Sequence, residues 1–511
     1  MKRRDFIKTT GLSGLTLATG MAQNVATRDC FPIMIDPDPQ FELSPWLYMQ
    51  FMEPLGVTDS SVEASWDHAR NVWKPELVEV TKELAPGMVR WGGLLSAYYR
   101  WKEAVGPRNQ RKPMYNIVWK GMETNQVGTA EFVEFCKLVG ADPLICVNFE
   151  SEGDPEFIKT PMGDDRCGSA QEAAEWVDYC NNPDNALRKA HGFANPLRID
   201  LWQIGNETSY SNKRFNRETA VRKTIEFADA MRKVDPNIKL IAWGENERTN
   251  HDWATEMIDK AGDKIDYIAF HHMFDPGQPI RDNDYRNDPA KTWEVLMNAC
   301  KMHERKINRM REKVEPYKMP LAMTECHFAV PGRNRCEVLS SWAAGCSYAR
   351  MANVHERNGD LLKIATLADF CGTRWQVNAV MIPVPSGRPY LMPVAKVMAL
   401  YRKHSGKEFL RTSSASDLLD VTGSRTGDTF FLHIVNTSRS HSVPVEFRIS
   451  GRAIVSAKAY EISEDPTYEI IRAGEHLQPK VKNVETDKPY SVPPASVTAV
   501  QLITSSERLS E

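Results

Sequence analysis

Two glutamates carry the clearest chemical possibility in this chain. Glu207 ends the run Trp202-Gln203-Ile204-Gly205-Asn206-Glu207, and Glu325 ends Ala322-Met323-Thr324-Glu325. Two carboxyl groups facing each other across a cleft suit glycoside hydrolysis: one, protonated, donates to the leaving oxygen while the other attacks the anomeric carbon. At a separation of ~5–5.5 Å the outcome is retention through a covalent glycosyl-enzyme. Either glutamate alone would more often be a surface or ion-paired residue, so the specificity lies in their joint placement.

That placement requires a scaffold. Eight short apolar or β-branched runs occur at Trp46–Glu53, Gly87–Gly93, Asp142–Glu150, Ile199–Glu207, Lys239–Glu247, Tyr267–Phe274, Pro320–Phe328 and Ile364–Phe370. Between and after them lie amphipathic stretches with helical spacing: Lys74–Leu84, Thr129–Val139, Ala170–Asn181, Arg217–Val234, His251–Ala261, Thr292–Lys313, Glu337–Arg357 and Pro393–His404. Eightfold βα alternation predicts an α/β fold, a (β/α)8 TIM barrel, whose reactive residues stand at the C-terminal ends of the strands. Glu207 and Glu325 then end strands four and seven. A doubly wound sheet would usually bring a glycine-rich phosphate loop, and neither G-x-G-x-x-G nor a Walker loop is present.

From about residue 408 the texture changes to short strands between polar turns, Leu418–Val421, Thr429–Val435, Val443–Ile449, Ala457–Ile462 and Ser496–Leu502. This predicts a C-terminal antiparallel β-sandwich domain. The expected division is residues 1–25 as an export signal, 26–407 as the catalytic barrel and 408–511 as an accessory domain.

Composition narrows the function further. Of 511 residues, 64 are Lys or Arg and 67 Asp or Glu, a balance that argues against a dedicated nucleic-acid binder. Beyond residue 25 no apolar run approaches the ~20 residues of a membrane span, so a soluble mature chain is expected. The opening Met1-Lys2-Arg3-Arg4-Asp5-Phe6-Ile7-Lys8 and the mild apolar Gly11–Gly20 stretch resemble a twin-arginine export signal, which predicts a periplasmic or extracellular bacterial protein. Ten cysteines show no C-x-x-C and no Cys-His metal spacing. No His-Glu-x-x-His occurs either, and neither a metal nor a cofactor is expected.

Gly205-Asn206-Glu207 and Thr324-Glu325 resemble the acid/base and nucleophile motifs of clan A glycoside hydrolases. Within the clan the chain is most similar to the α-L-arabinofuranosidases of family 51, over most of residues 46–505. The similarity includes Gln50-Phe51-Met52-Glu53, Arg90-Trp91-Gly92-Gly93, Gly106-Pro107-Arg108, Ala368-Asp369-Phe370 and His404-Ser405-Gly406.

The resemblance implies Glu207 as general acid/base, Glu325 as nucleophile, and Asn206 as a partner of the sugar 2-hydroxyl. It places Arg90 beside the nucleophile, where a cation favours a carboxylate's charged form. Glu53, and more weakly Asn148, would bind hydroxyls of the sugar in the −1 subsite. At the end of strand six His271 aligns best with the family's histidine; strand alternation allows only one of His271 and His272 to face the site, and a packing role is the competing reading. Trp243 and Glu245 end strand five as a stacking face and a polar contact, with core packing the alternative for Trp243.

Four departures from the family pattern, Pro54, Trp91, Met273 and Cys326-His327, are expected around the −1 pocket and put the sugar in question. The expected activity is that of a retaining exo-acting hydrolase, an α-L-arabinofuranosidase acting on arabinofuranoside-containing plant glycans. The alternatives are a β-xylosidase or endo-glucanase of the same clan, or a barrel that binds carbohydrate without turnover. The terminal sandwich is expected to support stability or homo-oligomerisation.

Overall fold

The computed structural model describes residues 30–53, 61–245, 253–280, 284–332, 335–474 and 477–508. The expected export signal at 1–25 and the departure at Pro54 lie outside them.

The larger sheet runs in parallel through Met49–Met52, Met88–Trp91, Asp142–Val147, Leu201–Ile204, Lys239–Trp243, Tyr267–Phe274, Leu321–Phe328 and Leu362–Ala365. These segments fall on the eight runs expected from sequence. The eighth is broken: Leu362–Ala365 pairs with strand seven through Leu321↔Leu362, whereas Asp369–Gly372 pairs with strand one through Asp369↔Phe51. Between the pieces, Thr366 Oγ1 lies 2.9 Å from the Ala368 carbonyl and 3.4 Å from its amide, so a local side-chain turn interrupts the ladder. Because the two pieces together reach both neighbours, the sheet curls around on itself, as in a TIM-barrel-containing enzyme. Asn378–Met381 and Tyr390–Leu391 extend it beyond this point.

Helices lie between the strands at the predicted positions, including Thr129–Val139, Ala170–Asn181 and Arg217–Val234. Their ends follow ordinary capping chemistry. The side chains of Ser169 and Asn216 accept from Glu172 N and Thr219 N, and Pro75, Pro289 and Pro393 each begin a helix.

The second sheet differs from expectation at its start. Phe31–Glu42 falls within the segment assigned to the barrel, yet it pairs antiparallel with Glu408–Ser414 and parallel with Val443–Ile449. The smaller sheet therefore draws on both ends of the described chain and is not wholly antiparallel. Three prolines, at 32, 37 and 39, mask this strand in the sequence; its pairing is irregular between Ile35 and Phe41. Ile33 and Ile35 nevertheless point inward, joining Leu410, Phe430, Leu432, Ile434, Val445 and Val500 in a separate apolar cluster.

The seam between the sheets is polar and buried. Asp420 accepts from Arg350 Nε at 2.9 Å and Arg357 Nη1 at 2.8 Å, both on the helix Trp342–Arg357. From the same helix, Glu356 accepts from Tyr48 at 2.6 Å and Thr422 at 2.5 Å, and lies 3.0 Å from His433 Nδ1. Among the described residues no helix is long and apolar enough to cross a membrane.

Candidate active site

The side chains at the strand ends converge on Arg90. Its guanidinium is fully buried, where an unpaired charge would be prohibitively costly, and it spends its donors on three partners. Nη1 donates to Glu325 Oε1 at 2.9 Å, Nη2 to Asn206 Oδ1 at 2.7 Å and Nε to Gln203 Oε1 at 2.9 Å. One residue of strand two thereby fixes groups from strands four and seven. With its oxygen held by Arg90, Asn206 keeps a buried Nδ2 that meets no acceptor among the described residues.

His271 joins the two glutamates from the other side. Its Nδ1 lies 3.1 Å from Glu207 Oε1 and 3.8 Å from Glu325 Oε2, and its Nε2 lies 2.9 Å from Thr324 Oγ1. Carboxylate oxygens of Glu207 and Glu325 and a nitrogen of His271 all fall within 4.8 Å of one another. Such a set could hold a cation, but the guanidinium of Arg90 already supplies positive charge against Glu325. Burial outweighs the attraction of Glu325, aided by repulsion from Arg90 and His327, and depresses His271 to about 3, so the ring is neutral at physiological pH.

Glu207 sits in a turn with left-handed backbone, φ 82° at Gly205 and 56° at Glu207 itself, an uncommon conformation for a residue with a side chain. Glu152 underpins this turn from the loop after strand three. Its carboxyl accepts from Asn206 N at 2.7 Å and Thr208 Oγ1 at 2.5 Å, while Arg214 donates to the Glu207 carbonyl. Burial raises the Glu207 carboxyl above the usual range, opposed by the charges of Arg214, Arg90 and His327. Burial also raises Glu152, to about 7, against its hydrogen bonds and Arg214, with the Glu207 charge adding to the rise.

Glu53 closes the floor. Leu95 N donates to its Oε1 at 2.9 Å and Trp119 Nε1 approaches at 3.3 Å. Gly93 makes room for it: a Cβ there would stand 2.4 Å from the Glu53 carboxyl carbon, and the backbone has φ 124°. Burial first, then the charge of Glu325, push the Glu53 carboxyl well above the carboxylate range. These groups open into a cavity of about 180 Å³ whose walls include Glu53, Glu207, Glu325, Trp119 and Trp375.

Other expected site residues lie elsewhere. Asn148 spends its amide on backbone, donating to the carbonyls of Arg166 at 2.8 Å and Tyr99 at 3.3 Å and accepting from Ser151 N at 3.0 Å, so it braces the loop after strand three. Trp243 is buried edge-on to the His271 ring at 4.7 Å, with Nε1 bonded to Ser209 Oγ at 2.8 Å; it backs the histidine and offers no stacking face to the cavity. Glu245 is likewise buried, paired with Lys306 and accepting from His271 N at 2.9 Å.

Of the departures from the family pattern, Met273 and His327 line the cavity. Trp91 packs outward against Tyr99 and Phe132, and Cys326 faces His303 behind the sheet, so neither lies in the pocket as expected. The alternation of a strand explains the division: His271 and Met273, like Glu325 and His327, share a face that His272 and Cys326 do not.

Sequence reading missed Glu152, Trp119, Trp375 and Arg335. The last stacks over Trp375 at 4.2 Å, and the two tryptophan rings meet edge to face at 5.3 Å. All four lie outside the regular strands, where periodicity carries no signal.

Residues 80–291 match the family model described as the alpha-L-arabinofuranosidase 1 domain. Among curated proteins, α-L-arabinofuranosidase C of Emericella nidulans is 32% identical over 237 residues, 44% of this chain and 43% of its own length. An intracellular exo-α-(1→5)-L-arabinofuranosidase of Halalkalibacterium halodurans is 30% identical over 267 residues, 50% and 49% of the two chains. The match thus spans less than half the length of these relatives. A family 51 α-L-arabinofuranosidase from Bifidobacterium longum, 17% identical, superposes with a TM-score of 0.76 over 93% of this chain and 100% of its own, a likeness of fold. By the matched domain and by this fold, the chain is akin to the clan A glycoside hydrolases of family 51.

Proposed function

We propose that the protein is a retaining, exo-acting α-L-arabinofuranosidase. The observation that carries this reading is the pairing of Glu207 and Glu325 on strands four and seven, with oxygens within 4.8 Å and Arg90 bridging Glu325 to Asn206. Oxygens this close suit the ~5–5.5 Å carboxyl separation of retaining enzymes, whereas inverting ones hold theirs ~6.5–9.5 Å apart to admit a water.

Burial favours the protonated form of Glu207, which gives its proton to the leaving oxygen as Glu325 attacks the anomeric carbon. Water then attacks the glycosyl ester on Glu325, with Glu207 taking the water's proton. Asn206 Nδ2 is the donor available to a substrate hydroxyl, and the raised carboxyl of Glu53 can donate to another. Exo action rests on the cavity: about 180 Å³ is below the ~300–1,000 Å³ of sites for larger ligands and suits one sugar ring.

Glu207→Ala is expected to lower turnover of a substrate with a poor leaving group about 10²–10⁴-fold, whereas an aryl glycoside with a good leaving group, whose slow step is then release of the sugar from Glu325, should recover in azide. Unchanged turnover refutes the assignment. Met273 and His327 in the cavity favour a second reading, the same chemistry on another sugar, and a panel of aryl α-L-arabinofuranosides, β-xylosides and β-glucosides decides between the two. The wider reading is a (β/α)8 barrel carrying a β-sandwich. Export by the twin-arginine route rests on Arg3-Arg4 and the residues after them; replacing both arginines by lysine should retain the protein in the cytoplasm.

A further inference from the structure

A second cluster of reactive side chains lies behind strands six and seven. The alternation that turns His271 and Glu325 toward the cavity turns their neighbours, His272 and Cys326, to the outer face. There they meet His303 from the helix Pro289–Val314. His303 Nδ1 is 2.8 Å from His272 Nδ1 and 4.0 Å from Cys326 Sγ, and donor atoms of all three residues fall within 4.8 Å of one another. None is more than 8% exposed. The glycosidase chemistry uses none of them.

We propose that His272, His303 and Cys326 bind a zinc ion that ties strands six and seven to the helix behind them. Two imidazoles and a thiol are the donors that zinc favours, and its fourth position would fall to water. A tetrahedral ion with bonds of ~2.0–2.1 Å to nitrogen and ~2.3 Å to sulfur sets its ligands roughly 3.3 Å apart between nitrogens and 3.6 Å from nitrogen to sulfur. Reaching that geometry requires the 2.8 Å contact to open, the 4.0 Å one to close, and the His272–Cys326 pair, which lies within 4.8 Å, to settle near ~3.6 Å.

Two further features favour the site. The far nitrogen of His303, Nε2, lies 2.7 Å from His355 Nε2, the kind of outer contact that fixes the orientation of a ligating histidine. Lys306, on the same helix as His303, is paired with Glu245, which limits its repulsion of an incoming cation.

The test needs no assay of hydrolysis, so it stands or falls apart from the glycosidase reading. The purified full chain, dialysed with zinc and then against metal-free buffer, is expected to retain about one zinc per chain by mass spectrometric metal analysis. Cobalt(II) in its place should give a thiolate-to-cobalt charge-transfer band. Cys326→Ser should abolish the band, and His355→Gln should weaken binding about 10–100-fold. A native chain that retains no zinc and gives no cobalt band overturns the proposal. So does a band that survives in Cys326→Ser, which would place the metal on another cysteine. Should Cys326→Ser not fold, His272→Gln takes its place, with loss of retained zinc as the expected result and full retention as the refutation.

Discussion

Two sets of buried carboxyl groups in this molecule behave in opposite ways. At the cavity, Glu53, Glu152 and Glu207 are raised above the usual carboxylate range. At the seam between the two sheets, burial would raise Glu356 and Asp420 too, but both are held below it: His433 and its neighbours hold the one, Arg357 and Arg350 the other. Depth is similar in the two places. What differs is the supply of positive charge and donors: Asp420 has two arginines to itself, whereas Arg90 is shared among Glu325, Asn206 and Gln203. The seam uses carboxylates as fixed anions that hold two layers in register. The cavity leaves its carboxyls short of compensation, which keeps a proton available for transfer.

The largest effect expected is at Arg90. Arg90→Met removes the group that orients both Glu325 and Asn206, and kcat should fall about 10³-fold, roughly 4 kcal/mol of transition-state stabilisation. At the seam, Asp420→Ala leaves Arg350 and Arg357 without their shared partner. Because both arginines keep some access to water, the loss should be about 3 kcal/mol of unfolding free energy, the low end for a broken buried pair. Denaturant unfolding measures it, and kcat well below the transition temperature should be unchanged. If Asp420→Ala abolished turnover while folded, or Arg90→Met spared it, the division between working and structural carboxylates would fail.

Asn148 offers a smaller test of where the site ends. Asn148→Ala leaves two buried carbonyls and one amide without their partner, a cost of about 2 kcal/mol in stability. Its side chain faces backbone on every side, so KM should not move. A raised KM with unaltered stability would return Asn148 to the sugar.

Much of this architecture was legible because strands announce themselves by short apolar runs, and the barrel puts their last residues at one end. Glu207 and Glu325 could be found by reading strand ends alone, whereas Arg90 and Glu53 are marked by the resemblance to family 51. Phe31–Glu42 could not, since its prolines argue against a strand and its partners lie some 370 to 410 residues further along the chain. Asn148 stands at a strand end yet turns toward the loop, a choice of side-chain direction that periodicity does not encode. Glu152 escapes for a related reason: Glu150, Ser151 and Glu152 all adopt left-handed backbone, with φ of 46°, 54° and 57°, and only Gly153, which follows them at φ 73°, signals a turn in the sequence.

Glu152 is also where the smallest effect is expected, and its sign separates the cavity from the seam. Its folded value of about 7 lies above that of an unfolded glutamate, so the folded chain binds the extra proton between about pH 4.5 and 7. Stability from this group is complete below that window and is lost as pH rises through it. For Glu356 and Asp420, lowered in the folded state, stability is present above the unfolded value and lost as pH falls. Glu152→Gln keeps the shape of the protonated form and can still accept from Asn206 N. Relative to the native chain it should therefore match in stability near pH 4.5 and gain as pH rises to 8, read as a pH series of thermal transitions. Because the Glu207 charge raises Glu152, an ionised Glu152 must raise Glu207 in return. Neutralising it should move the basic limb of kcat/KM to lower pH, and a limb that stays in place would show that Glu152 holds the turn without acting on the proton.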